Sequence, residues 1–279
     1  EFELEWVSVY TFQCRRMQRF RHGRVLFVGD AAHQVSPFGA RGANSGIQDS
    51  DNLCWKLRLV LGGKAPDSLL DSYSEERVFA ADENIMNSTR STDFITPKSR
   101  TSLNFRNAVL TLARDHAFAR TLVNSGRLSV PSFLTGSRLN TPDDDAFAGD
   151  MVPGAPMDDA PMREDGADFW LLDRVGNRFM ALVHVEDPAA VDASLAREFK
   201  ALAGATIPLE VVLVAAKPGR APEGLRVFAD SKGRFAERYD SAPGTVYLIR
   251  PDQHVTARWR AFDDGRVKQA LARATCNTL

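Results

Sequence analysis

The residues most able to do chemistry follow a short apolar run near the start of the chain. This run, at 25–28, ends at Gly29 and Asp30. A carboxylate at the end of a strand can accept hydrogen bonds from sugar-like hydroxyl groups, and a glycine before it lets a bound molecule approach the backbone closely. Asp30 is therefore the first candidate binding residue, with a polyol as its expected ligand.

A loop and the start of a helix follow this carboxylate. Pro37 makes a rigid bend in the loop, and a helix is predicted to begin near Gly42-Ala43-Asn44. The main-chain N–H groups of a first helical turn lack intrahelical acceptors and carry partial positive charge, so they can hold an electron-rich ring edge. Asp30 could simply cap a turn, and glycine-rich loops are common in α/β proteins. The order of these features together favours a flavin dinucleotide site.

Composition excludes several kinds of partner. The 279 residues include 35 Lys or Arg and 36 Asp or Glu, which predicts neither a nucleic-acid partner nor an anionic membrane surface. No apolar run approaches the roughly 20 residues that span a bilayer. Because Cys14, Cys54 and Cys276 are widely separated, we predict no metal site and no dithiol centre, and we expect a cytoplasmic location.

Hydrophobic periodicity in the first half predicts strands and long helices. The β-prone opening, which includes Trp6, resembles an interior strand and suggests that the chain is the C-terminal portion of a longer protein. Residue spacing then predicts an apolar helical stripe that ends at Gly62-Gly63. The predicted elements are strands at 5–12 and 24–28 and helices at 43–61, 66–93 and 102–125, the last ending at Gly126.

The second half begins with a change in composition. Five prolines and two acidic groups indicate a linker with little regular structure at 131–166, in which the acidic run 143–145 is a solvated turn. The order strand-helix-strand, then helix, hairpin and helix, predicts a thioredoxin-like α/β unit after it. Its predicted strands are 169–172, 178–185, 209–215, 225–229, 245–250 and 255–260, and its helices are 188–203, 232–239 and 264–274, the last capped by Asp263.

Residues 29–57, GDAAHQVSPFGARGANSGIQDSDNLCWKL, resemble the second FAD motif of the aromatic-ring hydroxylases. These are flavoprotein monooxygenases of the phenol hydroxylase and 3-(3-hydroxyphenyl)propionate hydroxylase type. Their pattern runs from GDAAH through a Pro-Pro-x-Gly-Gly-Gln-Gly-x-Asn loop to a helix ending NLAWKL. The resemblance implies that Asp30 binds the ribityl chain of FAD, that Pro37 lies beside the reactive flavin carbon, and that the amides of Gly42, Ala43 and Asn44 hold the isoalloxazine ring.

Three positions depart from the family pattern. Ser36 stands where the first proline is usual, Ala40 where a glycine is usual, and Arg41 where a glutamine is usual. We expect these changes to alter the mobility of the loop and the polarity near Arg41. Arg41 itself is expected on the surface, with a substrate clamp as the alternative.

The resemblance also implies a domain organisation. Residues 1–130 are expected to be the C-terminal part of an FAD-binding monooxygenase domain, 131–166 a linker, and 167–279 a thioredoxin-like domain in which Pro243 is a candidate cis-proline. No GxGxxG fingerprint occurs in the sequence, although the family uses one to bind the ADP half of FAD. We therefore expect the N-terminal half of the enzyme to lie outside this chain, which alone would bind FAD weakly and not turn over.

The implied activity is hydroxylation of a phenolic or other activated aromatic substrate with FAD, NADH or NADPH, and O₂. A different reaction of the same flavin superfamily, such as epoxidation or Baeyer–Villiger oxidation, is one alternative. Another is a non-catalytic assembly module that dimerises through the thioredoxin-like domain. A homodimer is expected in either case, and neither a general base nor the aromatic substrate follows from the sequence.

Several nearby residues are expected to be structural. We expect His33 to pack, or to bond the backbone, rather than to catalyse. Asp49 and Asp51 are expected to solvate or cap the helix locally. Residues 75–77 are expected on an exposed helix face, and Trp55, like Trp6, in the core.

Overall fold

The structure, a computed structural model, describes residues 2–123 and 130–277 and has the mixed α/β architecture that the sequence predicts. Two groups of residues form separate compact units. Unit 1 comprises Glu1–Ser50 and Arg77–Ser132, and unit 2 comprises Asp51–Glu76 and Phe133–Leu279.

Two long helices, α1 (Arg41–Leu61) and α2 (Leu69–Ile95), contribute residues to both units. They confirm the helices predicted at 43–61 and 66–93, with bounds that shift by a few residues. Because these helices are shared, residues 51–76 group with the C-terminal half of the chain, and the two units do not follow the predicted domain boundaries.

Unit 1 contains short antiparallel strand pairs. The predicted strand at 24–28 is reduced to two residues. The strand predicted at 5–12 is wrong: it has no strand partner in the part of the chain that the structure describes, and backbone groups without a partner do not form a sheet. Trp6 is 72% exposed rather than in the core. The pairs are β1 (Arg15–Arg16) with β4 (His33–Gln34), and β2 (Arg21–His22) with β3 (Val25–Leu26).

The predicted helix at 102–125 is two helices, α3 (Arg100–Asp115) and α4 (Ala117–Val123). The hydroxyl of Ser99 caps α3 by accepting a bond from the Ser102 N–H at 3.1 Å, a usual helix start. His116 is extended and separates the two helices. The predicted end at Gly126 lies outside the described residues.

A seven-stranded mixed sheet forms the centre of unit 2. Its order is β11-β10-β7-β8-β9-β5-β6, in which β7, β8 and β9 run parallel and the other pairs are antiparallel. The strand predicted at 209–215 is confirmed to the residue. The strands are β5 (Pro161–Glu164), β6 (Ala167–Trp170), β7 (Phe179–His184), β8 (Leu209–Ala215), β9 (Arg226–Ala229), β10 (Val246–Ile249) and β11 (Val255–Trp259).

Both faces of this sheet are covered by apolar side chains. Along β7, alternate residues belong to two different apolar clusters: Phe179, Ala181 and Val183 to one, and Met180 and Leu182 to the other. This alternation explains why the central strands read as continuous apolar runs. The helices of this unit are α5 (Ala193–Ala203), α6 (Arg234–Arg238) and α7 (Asp264–Ala274), the last capped by Asp263 as predicted.

The segment 131–166 is not simply a linker. Residues 161–164 form β5 within the sheet, and Asp143, expected in a solvated turn, accepts bonds from the Arg258 guanidinium at 2.7–3.2 Å. The partners of β5 and of Asp143 are distant in the sequence, so the local composition of this segment could not predict these contacts. The described residues contain no cis peptide bond, so the expectation for Pro243 is wrong, and they contain no cluster of side chains able to hold a metal ion.

Candidate cofactor site

Asp30 lies in a single 3₁₀ turn, Gly29–Ala31, that follows β3. The turn is closed by a bond from the Ala32 N–H to the Gly29 carbonyl at 2.8 Å, and Gly29 has φ +56°, a conformation that favours glycine. Asp30 is exposed. Its carboxylate makes no hydrogen bond or ion pair with any residue that the structure describes, so it is available to accept bonds from a bound polyol.

The loop that carries Pro37 is fastened to α2. The Ser36 and Ser88 hydroxyl oxygens are 2.6 Å apart, and the Ser88 hydroxyl also donates to the Phe38 carbonyl at 3.1 Å. The Ala40 N–H donates to the Pro37 carbonyl at 3.0 Å and closes a turn. Ser36, which replaces the usual proline of the family pattern, thus anchors the loop, while Pro37 is exposed.

Helix α1 begins at Arg41, two residues before the predicted start. Ala40 precedes it with φ +50°, at a position where the family pattern has glycine. This backbone conformation costs a residue other than glycine about 1 kcal/mol. Gly42 and Ala43 lie in the first turn, where helix geometry supplies no acceptor for their N–H groups. Asn44 comes one position later, and its side-chain amide donates to the Ala40 carbonyl at 2.8 Å.

Arg41 is buried, contrary to the expectation that it lies on the surface. It is 7% exposed, and its guanidinium donates to the Asn84 side chain and to the Val130 carbonyl. These acceptors lie 43 and 89 residues away, so no local pattern could reveal them. A cavity of about 350 Å³ lies beside it, lined by Gly39, Asn44, Ser45, Gln48 and Asn84 among others.

Asp49 is the buried centre of the site, a role that sequence reasoning missed. It is 0% exposed and accepts hydrogen bonds from the Gly29 N–H at 2.9 Å, from His33 Nε2 at 2.6 Å and from Arg77 Nε at 2.6 Å. Burial alone would raise the pKa of Asp49, but the bond from His33 and the charge of Arg77 lower that pKa below its ordinary value. The expected roles of Asp49 as a local cap and of Arg77 as an exposed residue are wrong.

His33 packs as predicted. Its ring stacks on Phe20, with ring centres 5.5 Å apart and an interplanar angle of 20°. Its hydrogen bond, however, goes to the Asp49 carboxylate and not to the backbone. His33 therefore has a structural role in the site.

Unit 2 contains a second buried charge cluster, formed by Lys56, Glu76, Arg250 and Asp252. Glu76, expected on an exposed face, is 3% exposed and accepts bonds from Lys56 at 2.7 Å and from Arg250 at 2.6 and 3.0 Å. Burial lowers the pKa of Lys56 to about 8, although Glu76 opposes this shift. Trp55 is buried as predicted and lies 5.5 Å from each of the two cations.

Family comparisons agree with this geometry. Residues 1–88 match a family described as FAD binding domain, and residues 161–274 match a family described as HcaD C-terminal domain. The first match contains the Asp30 turn, the Pro37 loop and the start of α1. The second contains the seven-stranded sheet.

Individual relatives point the same way. The chain is 32% identical to a 3-(3-hydroxy-phenyl)propionate/3-hydroxycinnamic acid hydroxylase of Paraburkholderia xenovorans, over 88% of this chain and 46% of that protein. It is 55% identical to a probable NADH-specific resorcinol 4-hydroxylase of Rhodococcus jostii, over 27% of this chain and 14% of that protein. The crystal structure of the flavin-dependent monooxygenase PieE, in complex with FAD and substrate, shares the fold with a TM-score of 0.71 at 24% identity, over 96% of this chain and 50% of that one. The chain thus spans about half the length of the relatives that it matches over most of its sequence.

Proposed function

We propose, since the chain belongs to the family of FAD-dependent aromatic hydroxylases, that it forms the flavin-holding part of an enzyme that hydroxylates a phenolic or other activated aromatic substrate. NADH or NADPH and O₂ are the proposed co-substrates. The observation that carries this proposal is the exposed Asp30 carboxylate, which bonds no residue that the structure describes, in the same motif as the first-turn N–H groups of Gly42 and Ala43.

The donor set in this motif fits a flavin. Asp30 would accept hydrogen bonds from the ribityl hydroxyls, since a carboxylate is an acceptor for such groups. Gly42 and Ala43 would direct main-chain N–H groups at the pyrimidine edge of the ring, with Asn44 and Pro37 beside it. Negative charge at this edge after reduction would be stabilised by the positive end of α1.

FAD, when bound, would supply the redox and oxygen chemistry of the reaction. The residues of this chain would bind and orient the ribityl chain and the ring, and the site would be shielded from water. None of the five proposed contact residues, Asp30, Pro37, Gly42, Ala43 and Asn44, is assigned a proton transfer.

The ADP half of FAD would be held elsewhere. The 279 residues contain no GxGxxG fingerprint, which is the usual dinucleotide phosphate site. We propose that an N-terminal half of the enzyme supplies it and that this chain alone binds FAD weakly without turnover. The aromatic substrate would bind only in the complete enzyme.

The C-terminal unit is proposed to be thioredoxin-like and to support a homodimer. Its central strands β7 and β8 are parallel, and β10 and β11 add to β7 as an antiparallel hairpin, the element order on which the prediction rests. Without a CxxC pair it would not exchange disulfides. All three cysteines are free thiols, which supports a cytoplasmic location. No helix in the described parts of the chain is long and apolar enough to span a membrane.

Absorbance and turnover test this function. Titration of the purified chain with FAD should produce the shifted visible absorbance of a protein-bound flavin. The complete enzyme should consume NADH or NADPH and insert one atom of labelled O₂ into a phenol from a test panel. A colourless, stable dimer in light scattering, with no flavin bound in either form, would favour the assembly module instead.

A further inference from the structure

The Asp30 turn lies directly on α1. A Cβ atom added at Gly46 would be 3.3 Å from the Gly29 Cα, closer than most side-chain contacts. Gly42, Gly46 and Asp49 are spaced by four and three residues, so they share one face of the helix. The turn that presents Asp30 therefore rests on the helix face on which Gly42, whose N–H is proposed to bind the flavin, lies one turn earlier.

Asp49 ties the turn to this face. One of its carboxylate oxygens accepts the Gly29 N–H at 2.9 Å and His33 Nε2 at 2.6 Å, and the other accepts Arg77 Nε at 2.6 Å. Hydrogen bonds to a buried ionised carboxylate are among the strongest in proteins. The Gly29 N–H belongs to the residue immediately before Asp30, so this bond fixes the backbone position from which the Asp30 side chain extends.

Arg77 keeps the carboxylate in place from α2. It is 3% exposed, and its Nη2 reaches both the Ser45 carbonyl and the Ser45 hydroxyl, at 3.4 and 3.3 Å. The ion pair with Asp49 thus balances the buried charge and joins α2 to α1. Only an acceptor with two oxygens can receive donors from both sides, because an amide would present its NH₂ group to one of them.

We propose that Asp49 is a positioning residue for flavin binding, which holds Asp30 at a fixed place relative to the start of α1. This inference rests on the proposed function. It goes further by assigning affinity for the ribityl chain to a buried side chain that does not touch the cofactor. A role in stability alone would lower the resistance to unfolding and leave the flavin affinity of the folded protein unchanged.

Amide exchange and flavin affinity, measured on the same variants of the full 279-residue chain, separate these roles. In Asp49→Asn we expect the Gly29 amide to exchange at least about tenfold faster, since its charged acceptor is lost. The dissociation constant for FAD, from quenching of flavin fluorescence, should rise about tenfold to a hundredfold, as in Asp30→Asn. Asp82→Asn is the matched control, because Asp82 is an exposed carboxylate in unit 1 that pairs with Arg16, and it should behave as the wild type.

A conservative variant guards against misfolding. Asp49→Glu keeps the charge opposite Arg77 but moves the carboxylate by one methylene group, so it should fold and still weaken FAD binding. Unchanged Gly29 exchange in both variants, or FAD affinity equal to that of Asp82→Asn, would overturn the proposal. If the wild-type protein binds no FAD, the proposed function fails, while the Gly29 exchange rate still decides whether Asp49 holds the turn.

Discussion

Replacing Glu76 by glutamine should destabilise unit 2 by about 3–5 kcal/mol, the usual cost of leaving a buried charge without its partner. The cluster contains two cations, Lys56 and Arg250, and two carboxylates, Glu76 and Asp252, so its formal charges cancel. Glutamine has nearly the same shape as glutamate. The substitution therefore leaves one uncompensated positive charge in the interior without creating a cavity.

The neighbouring residue provides a matched control. The Glu75 side chain is 55% exposed and pairs with Arg138 at 3.2 Å, and exposed pairs of this kind contribute about 0–1 kcal/mol. Glu75→Gln should therefore change the free energy of unfolding by less than about 1 kcal/mol. The two substitutions are chemically identical and adjacent, so their difference reports burial and pairing alone.

Urea unfolding, followed by tryptophan fluorescence and circular dichroism, measures both variants. Trp55 lies beside the cluster cations, so its emission reports the region directly. The midpoint should fall in Glu76→Gln with little change in slope, since the surface exposed on unfolding is the same. A loss no larger than that of Glu75→Gln would refute the reasoning, because the buried charges would then depend on each other no more than a surface pair does.

Two further predictions concern pH and packing. Burial alone would raise the pKa values of Asp49, Glu76 and Asp252, but hydrogen bonds and neighbouring cations lower all three. The stability that these carboxylates contribute is therefore present above about pH 4 and is lost as the pH falls below it. The free energy of unfolding should then decrease by up to about 1.4 kcal/mol per pH unit for each carboxyl group, and a constant value between about pH 5 and 3 would contradict this. In Gly46→Ala, a gain in helix propensity of about 0.5–1 kcal/mol should offset the contact at 3.3 Å with Gly29. Stability should change little while FAD binding weakens, and unchanged affinity would show that the turn tolerates the methyl group.

Elements with strong local signals were predicted well from the sequence. The strand at 209–215 is a continuous run of mostly apolar residues that includes three β-branched valines, and its bounds agree with the structure. The last helix starts after Asp263, whose side chain accepts the Arg266 N–H at 2.7 Å. Caps and apolar runs are decided by neighbouring residues, so they can be read without knowing the fold.

Elements that depend on distant partners were not predicted. The run at 5–12 has the composition of a strand but lacks a pairing partner in the described parts of the chain. Residues 161–164 were assigned to a linker, yet they pair with β6 and β9. Whether a segment forms a strand depends on the strand that pairs with it, and the composition of the segment does not identify that partner.

The same distinction applies to the candidate site. The motif identified Asp30 and the helix start from local order. Among the residues that the structure describes, the Asp30 carboxylate and the Gly42 and Ala43 N–H groups have no hydrogen-bond partner. The buried contacts of Arg41, Asp49 and Arg77 were missed, because their partners are 16 to 89 residues away. A charged residue beside a motif is predicted to be solvated when the partner that pairs with it in the fold is distant in the sequence.

Competition between the two halves of FAD tests the central claim most directly. Riboflavin carries the ribityl chain and the ring, whereas ADP represents the half that this chain is proposed not to hold. With fluorescence anisotropy of bound FAD as the readout, riboflavin should displace FAD from the purified chain, ADP should not, and Asp30→Asn should abolish the riboflavin effect. Displacement by ADP, or binding of riboflavin that is indifferent to Asp30, would contradict the account.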